Sequence, residues 1–404
     1  MTLSPETRAD AARRFAELGY PTRHDEEWRF TNVGPIAQTT FTKAKPATNG
    51  WRETLPDFDG LRLVFVNGRY DPELSTRKLP AGVAVTPLAQ ANGPAARHLA
   101  RYAAFDQQPF VAQNTAEFED GAFVEVSAKL ALSEPIHLVF LTAGADEPIV
   151  WHPRSLVIVG EGSQATLVEH YLGHGDRYFT NAVTEIVADD RAVVDHYKVQ
   201  SEDERAFHVA TVQAQVGRDA SFSTHSISLG GRLARNDINA VLSEGSDLMM
   251  NGLYTVAGEQ HVDHHTTIDH SQPHGTSREL YKGILDGRSS AVFNGRVVVR
   301  QDAQKTDSKQ SNNNLVLSED ATINTKPELQ IFADDVRCTH GATIGQLDAD
   351  AIFYLQSRGV DRREACDLLT NAFARDIVDR IKVATVRDRL EKRLWEKLHG
   401  NHRD

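Results

Sequence analysis

The chain has 404 residues, 40% of them hydrophobic and 25% charged, with a net charge of −12. That is an ordinary globular composition on a chain too long for one average compact domain. The acidic balance, without any Lys/Arg block, argues against a nucleic-acid partner, and the longest apolar stretch, residues 136–145, is too short to span a bilayer.

The N-terminal segment opens well as a helix. Ser4 can cap it, Pro5 suits the first helical position, and Ala9, Ala12, Phe15, Ala16 and Leu18 form an apolar stripe that Gly19 and Pro21 end. There is no basic stretch followed by an apolar one, so no secretory signal is read, and two cysteines make no disulfide framework. A cytoplasmic protein with reduced thiols is expected. Residues 24–31, HDEEWRFT, read as a docking segment whose Trp28 and Phe30 pack on the scaffold. Residues 61–66 predict a strand followed by a tight Asn67-Gly68 turn. Residues 94–105 predict a short helix, and 114–120 are ambiguous.

From Ala122 onward, short alternating strands recur: 123–126, 136–141, 156–159, 165–169, 183–187, 193–199, 207–216, 222–229, 238–242, 248–256, 261–268, 280–285, 292–299, 315–317 and 329–332. Compact polar turns separate them. No helical period intervenes across roughly two hundred residues, so a sheet built from βαβ units is excluded. A sandwich or barrel remains open on length alone, but strands spaced roughly 10 to 16 residues apart favour an irregular β-solenoid without a strict hexapeptide repeat. Beyond Gly345 the pattern turns helical through Ile352, Phe353 and Leu355, then Ala365 to Val383, then Val386 to Leu398. Cys366 falls on the apolar side as a small core residue.

Two groups are candidates for chemistry. His261, Asp263 and His265 share one face of a strand, with His264 on the other and His270 and His274 following. They suggest a metal-dependent lyase or hydrolase, or else histidines hydrogen-bonded along a solenoid face. Cys338 and His340 project from one face of an extended segment, at the junction of β scaffold and helices. A thiolate and an imidazole suit iron, zinc or copper(I), yet two ligands do not complete a site. Serine-nucleophile, Walker and Rossmann motifs are absent from the sequence.

The stretch KPELQIFADDVRCTHGATIGQLDADAIFYLQSRGV, with GYPTRHDEEWRFTN, LVFVNGRYDPELS, NTAEFEDGAFVEV and the long segment starting HVDHHTTIDHSQPHG, resembles the SufB/SufD family of the SufBCD iron–sulfur cluster assembly scaffold, in its SufD form. The resemblance implies a mainly β protein: an N-terminal helical or mixed region (1–120), a right-handed parallel β-helix (121–345) and a C-terminal helical domain (346–404). It implies a scaffold subunit rather than an enzyme. SufB would pair with it through the β-helix and the SufC ATPase would dock on the C-terminal helices, which are expected to be separable from the β-helix. His340 matches the family's interface histidine and Cys338 the cysteine beside it, so both would face a transient iron–sulfur cluster or iron shared with SufB, with nothing stably bound by the isolated chain. The upstream position reads Ser311-Asn312-Asn313-Asn314, so the principal sulfur-accepting cysteine would lie on SufB. Without SufB, self-pairing through the same surface is a plausible outcome.

Overall fold

The N-terminal helix α1 runs from Pro5 to Leu18, capped by the Ser4 hydroxyl accepting from Thr7 N–H at 3.0 Å and ended at Gly19, whose φ of 64° few other residues adopt. The computed structural model describes residues 3–47, 51–52, 55–91, 93, 97–143, 147–174 and 177–400. Five further helices are described: α2 (Gly34–Ala37), α3 (Pro109–Glu117), α4 (Ala349–Ser357), α5 (Arg362–Val378) and α6 (Ala384–Gly400). α1 packs on α3, with Arg8 donating to the Ala116 and Phe118 carbonyls.

Between the helical ends lies a parallel β-solenoid of about seven turns. One sheet runs through Val83–Pro87, Ala122–Val126, Arg154–Val159, Tyr178–Ala188, Phe207–Val216, Leu233–Leu242, His261–His270, Ser290–Val299 and Thr322–Ile331. The other runs through Leu61–Val66, Ile136–Ala143, Gln164–His174, Val193–Ser201, Ser221–Ser228, Asp247–Val256, Thr276–Leu285, Asp307–Val316 and Arg337–Gly345. From Arg154–Val159 onward consecutive strands alternate between the sheets, so each pairs with the next strand but one. Phe207 thus lies beside Leu233, and Ser290 beside Thr322. The sheets take in Leu61–Val66 and Val83–Pro87, ahead of residue 121 where the β-helix was expected to begin.

Inward positions follow the strand period of two. Ala291, Phe293, Val297 and Val299 fill the interior with their counterparts in neighbouring turns. Two large rings, Tyr254 and Tyr281, fit there because glycines face them: a Cβ on Gly283 would lie 2.1 Å from Tyr254 Cε2, and one on Gly252 2.0 Å from Tyr281 Cε1.

Two local expectations change. Residues 94–96 lie outside the described residues, and 97–105 of the expected 94–105 helix is a short helical turn followed by bends. Its backbone serves another purpose: the N–H groups of Ala100, Tyr102 and Ala103 donate to the fully buried Glu185 carboxylate, which also pairs with Arg154 at 2.8 Å. The ambiguous segment from Asn114 becomes the end of α3 and the loop after it.

Helices α5 and α6 pack directly on the solenoid. Ala374, Ile377, Val378, Val386, Leu390 and Leu394 close over the outward face of the second sheet, against Val168, Tyr197, Val199, Ile227, Leu229 and Leu253. Three lysines pin the contact. Lys282 pairs with Asp376 at 2.9 Å, Lys382 with Asp195 at 2.8 Å, and Lys397 donates to the Leu229 and Thr255 carbonyls. Burial lowers Lys397 to about 8. Helices that cover an apolar sheet face cannot be removed without exposing it.

Candidate functional site

The solenoid ends on two strands, Thr322–Ile331 and Arg337–Gly345, each paired on one side only among the described residues. They are guarded differently. Thr322–Ile331 carries Lys326 and Pro327, residues that discourage further pairing, while Arg337–Gly345 has no proline. Arg337 N–H donates to Thr306 O, and the register pairs Cys338 with Ser308 and His340 with Gln310. In a parallel ladder alternate residues bond to the same neighbour, so the backbone N–H groups of His340, Ala342 and Ile344 face the open side.

Cys338 and His340 both sit on this last strand. Cys338 is half-buried and packs against the end of the solenoid core. Burial pushes its thiol above the ordinary value, the Asp307 carboxylate adds to this, and a hydrogen bond from the Ser308 backbone partly opposes it. The free side chain is therefore a thiol at neutral pH, and becoming a ligand requires a cation to displace its proton. His340 is exposed. The spacing thus places both side chains on one face, at the rim of an open end.

Beneath them runs a buried polar column that the sequence did not flag. Gln310 Nε2 donates to Glu279 Oε2 at 2.7 Å, and desolvation raises Glu279 to about 7. Alongside, Tyr254 Oη donates to Asn314 Oδ1 at 2.5 Å, and Asn314 Nδ2 donates to Asn312 Oδ1 at 2.6 Å and to Thr343 O on the last strand at 3.3 Å. The Asn312–Asn314 stretch is thus a hydrogen-bonded ladder supporting the last strand. Deeper in, fully buried Lys198 donates to Asn236 Oδ1 at 2.7 Å and lies 2.8 Å from His208 Nε2, and desolvation brings it to about 8.

The histidine-rich strand lies elsewhere. His264 points into the solenoid between Tyr254 and Tyr281, and burial lowers it to about 3. His261, Asp263 and His265 do share the outer face, but a guanidinium occupies it with them. Buried Arg235 pairs with Asp263 at 2.8 Å and with Asp237 at 2.8 Å. Among the described residues no group of three or more His, Cys, Asp and Glu is arranged to hold a metal ion. The face is instead the seat of the N-terminal segment. Trp28 is buried with Arg235 stacked 3.7 Å from its ring centroid, Thr31 Oγ1 donates to Asp263 Oδ2 at 2.5 Å, and Glu27 lies 3.1 Å from His265 and 2.8 Å from Arg296. Trp28 docks as expected, whereas Phe30 stays 49% exposed. Glu27 and Arg235 carried no sequence signal, being 208 positions apart.

Comparison with known proteins accords with this architecture. Residues 2–138 match the family described as SufBD protein N-terminal region, and residues 140–373 match SUF system FeS cluster assembly, SufBD core domain. The chain is 38% identical to an iron–sulfur cluster assembly SufBD family protein of Synechocystis, over 95% of this chain and 89% of that protein. It is 32% identical to the iron–sulfur cluster assembly protein SufD of Escherichia coli, over 95% of this chain and 91% of that one. A SufBD family protein of Mycobacterium tuberculosis is 29% identical over 71% of this chain and 73% of its own length. With both halves matched, and with the solenoid such a match demands, the chain belongs to the SufBD family of iron–sulfur cluster assembly proteins as a homologue of SufD.

Proposed function

We propose that this chain is a non-catalytic scaffold subunit that contributes Cys338 and His340 to a cluster-assembly site completed by a SufB-type β-helical partner. The observation that carries the reading is the position of the pair: an incomplete soft-and-borderline ligand set on a terminal strand whose outer hydrogen-bonding edge is open. The surroundings suit a protein contact. Phe332 and Ile344 near the edge and Phe353 and Tyr354 on α4 are 60%, 56%, 72% and 56% exposed. A SufC-type ATPase would dock on the C-terminal helices, leaving nucleotide chemistry to that partner. The cluster or iron would be cargo, held only in the complex. The enzyme reading based on the histidine-rich strand loses its support, because Asp263 is committed to Arg235 and His264 is turned inside.

His340→Ala tests this. His340 is exposed, so its loss should change stability by no more than about 0.5 kcal/mol, while cluster assembly in cells fails. Cys338→Ser should be milder, its thiol being protonated at rest. Normal cluster assembly by the folded His340→Ala variant would remove the functional reading.

A further inference from the structure

The packing of α5 and α6 on the second sheet runs out at its last turns. There a cavity of about 500 Å³ opens between the ends of Asp247–Val256 and Thr276–Leu285, the start of α5 and the end of α6. Val256, Ile284, Leu317, Leu347 and Leu398 make its apolar walls. Its size and lining are those of a small-molecule site: mainly apolar, with a few placed polar groups.

The polar groups indicate the ligand. Thr255 lines the cavity at 3% exposure, and among the described residues its Oγ1 makes no hydrogen bond. A buried hydroxyl ordinarily has a partner, so a ligand atom is the natural one. Arg362, the first residue of the 17-residue helix α5, lines the cavity and offers a guanidinium, while the helix end itself is already capped by the Asp361 carboxylate, which accepts from Glu364 N–H at 2.9 Å. Asp286 and Asp367 also line the wall, Asp286 accepting from the Gly287 N–H at 2.8 Å. The Asp286 carboxylate on the same lining opposes a doubly charged ligand such as a phosphate ester. Cys366, a half-buried free thiol, reports on occupancy.

We propose that this cavity binds a small amphipathic monoanion, a medium-chain carboxylate or an acid of similar shape. The hydrocarbon lies on Ile284, Leu317 and Leu398, the carboxylate sits at the Arg362 end, and the Thr255 hydroxyl gives a further hydrogen bond. The site is independent of Cys338 and His340.

The test uses the full chain carrying Cys338→Ser, which leaves Cys366 as the sole thiol. Maleimide alkylation of Cys366 is timed with decanoate and with decanol as neutral control. At about ten times its Kd, decanoate should slow alkylation roughly tenfold, and decanol much less. Arg362→Gln should abolish the preference for decanoate, and the near-isosteric Thr255→Val should weaken it in a folded protein, verified by a melting temperature no lower than that of the parent chain. Equal protection by both compounds would mean an adventitious additive only. That result, no protection at the solubility limit of decanoate, or full preference retained in Arg362→Gln would each overturn the proposal.

Discussion

At the residue scale, the outer face of the histidine-rich strand shows how a metal-like pattern is neutralised. Arg235 donates to the Asp263 and Asp237 carboxylates and to the Glu27 carbonyl, and it stacks on Trp28. Despite burial, those charges hold Arg235 above its ordinary value, and Arg235 in turn holds Asp263 well below the carboxylate range. Removing one partner strands the other in a dry site. Asp263→Ala is therefore expected to cost about 3–5 kcal/mol in equilibrium denaturation, far more than a surface substitution. A loss below about 1 kcal/mol would mean that Asp237 alone suffices for the guanidinium. The sequence showed that His261, Asp263 and His265 share a face, but not what else reaches it, because Arg235 arrives from the preceding turn and Glu27 from the far end of the chain. Cys338 and His340 were legible because strand periodicity alone places them together. Their position on an open edge needed the whole solenoid.

At the element scale, the segment around Glu27 and Trp28 is a clasp whose strength depends on pH. The hydrogen bond with His265 is the largest cause that holds Glu27 down to about 2, and Arg296 adds to it. Burial opposes charge on His265, but Asp263 and Glu27 hold it up to about 9. The Glu27 contribution is complete above its ordinary 4.5 and fades as pH falls through about 2. The His265 contribution is complete below its ordinary 6.5 and is lost as pH rises through about 9. Hydrogen exchange of residues 24–31, corrected for intrinsic rates, should show full protection between those ordinary values and a decline from about pH 6.5 to about 9 that His265→Gln removes. Protection that stays flat to pH 10 would show that the ion pair does not hold the segment. The C-terminal helices give a second test. A chain ending at residue 360 uncovers Tyr197, Ile227, Leu229 and Leu253, and should bind apolar dyes and self-associate by light scattering. A monodisperse truncated protein would show that the covering is dispensable. Strand boundaries were readable where inward residues are apolar, as in Phe207–Val216. They were read short in Leu233–Leu242, Asp307–Val316 and Thr322–Ile331, because inward positions there include Asn236, Ser308, Gln310, Asn312 and Thr325. A polar ladder inside the solenoid looks, in sequence, like a loop.

At the scale of the molecule, the two ends of the solenoid are built differently. At the start, the hairpin of Leu61–Val66 with Arg69–Tyr70 and the antiparallel pairing of Val83–Pro87 with Ala122–Val126 fold the chain back on itself. At the far end, Thr322–Ile331 and Arg337–Gly345 have no neighbour beyond them among the described residues. Lys326 and Pro327 guard the first, so a partner strand is better accepted along the second, where Cys338 and His340 also lie. Ala342→Pro separates pairing from folding. The Ala342 N–H faces the open side, so proline removes a donor that a partner would use while leaving the ladder to Asp307–Val316 intact. The variant should keep a denaturation midpoint close to that of the parent chain. It should fail to co-purify with a co-expressed SufB-type partner, and any dimer of the isolated chain through this edge should dissociate on sizing. A folded Ala342→Pro chain that still captures the partner in full would place the contact elsewhere, and Cys338 and His340 would then no longer lie at its centre.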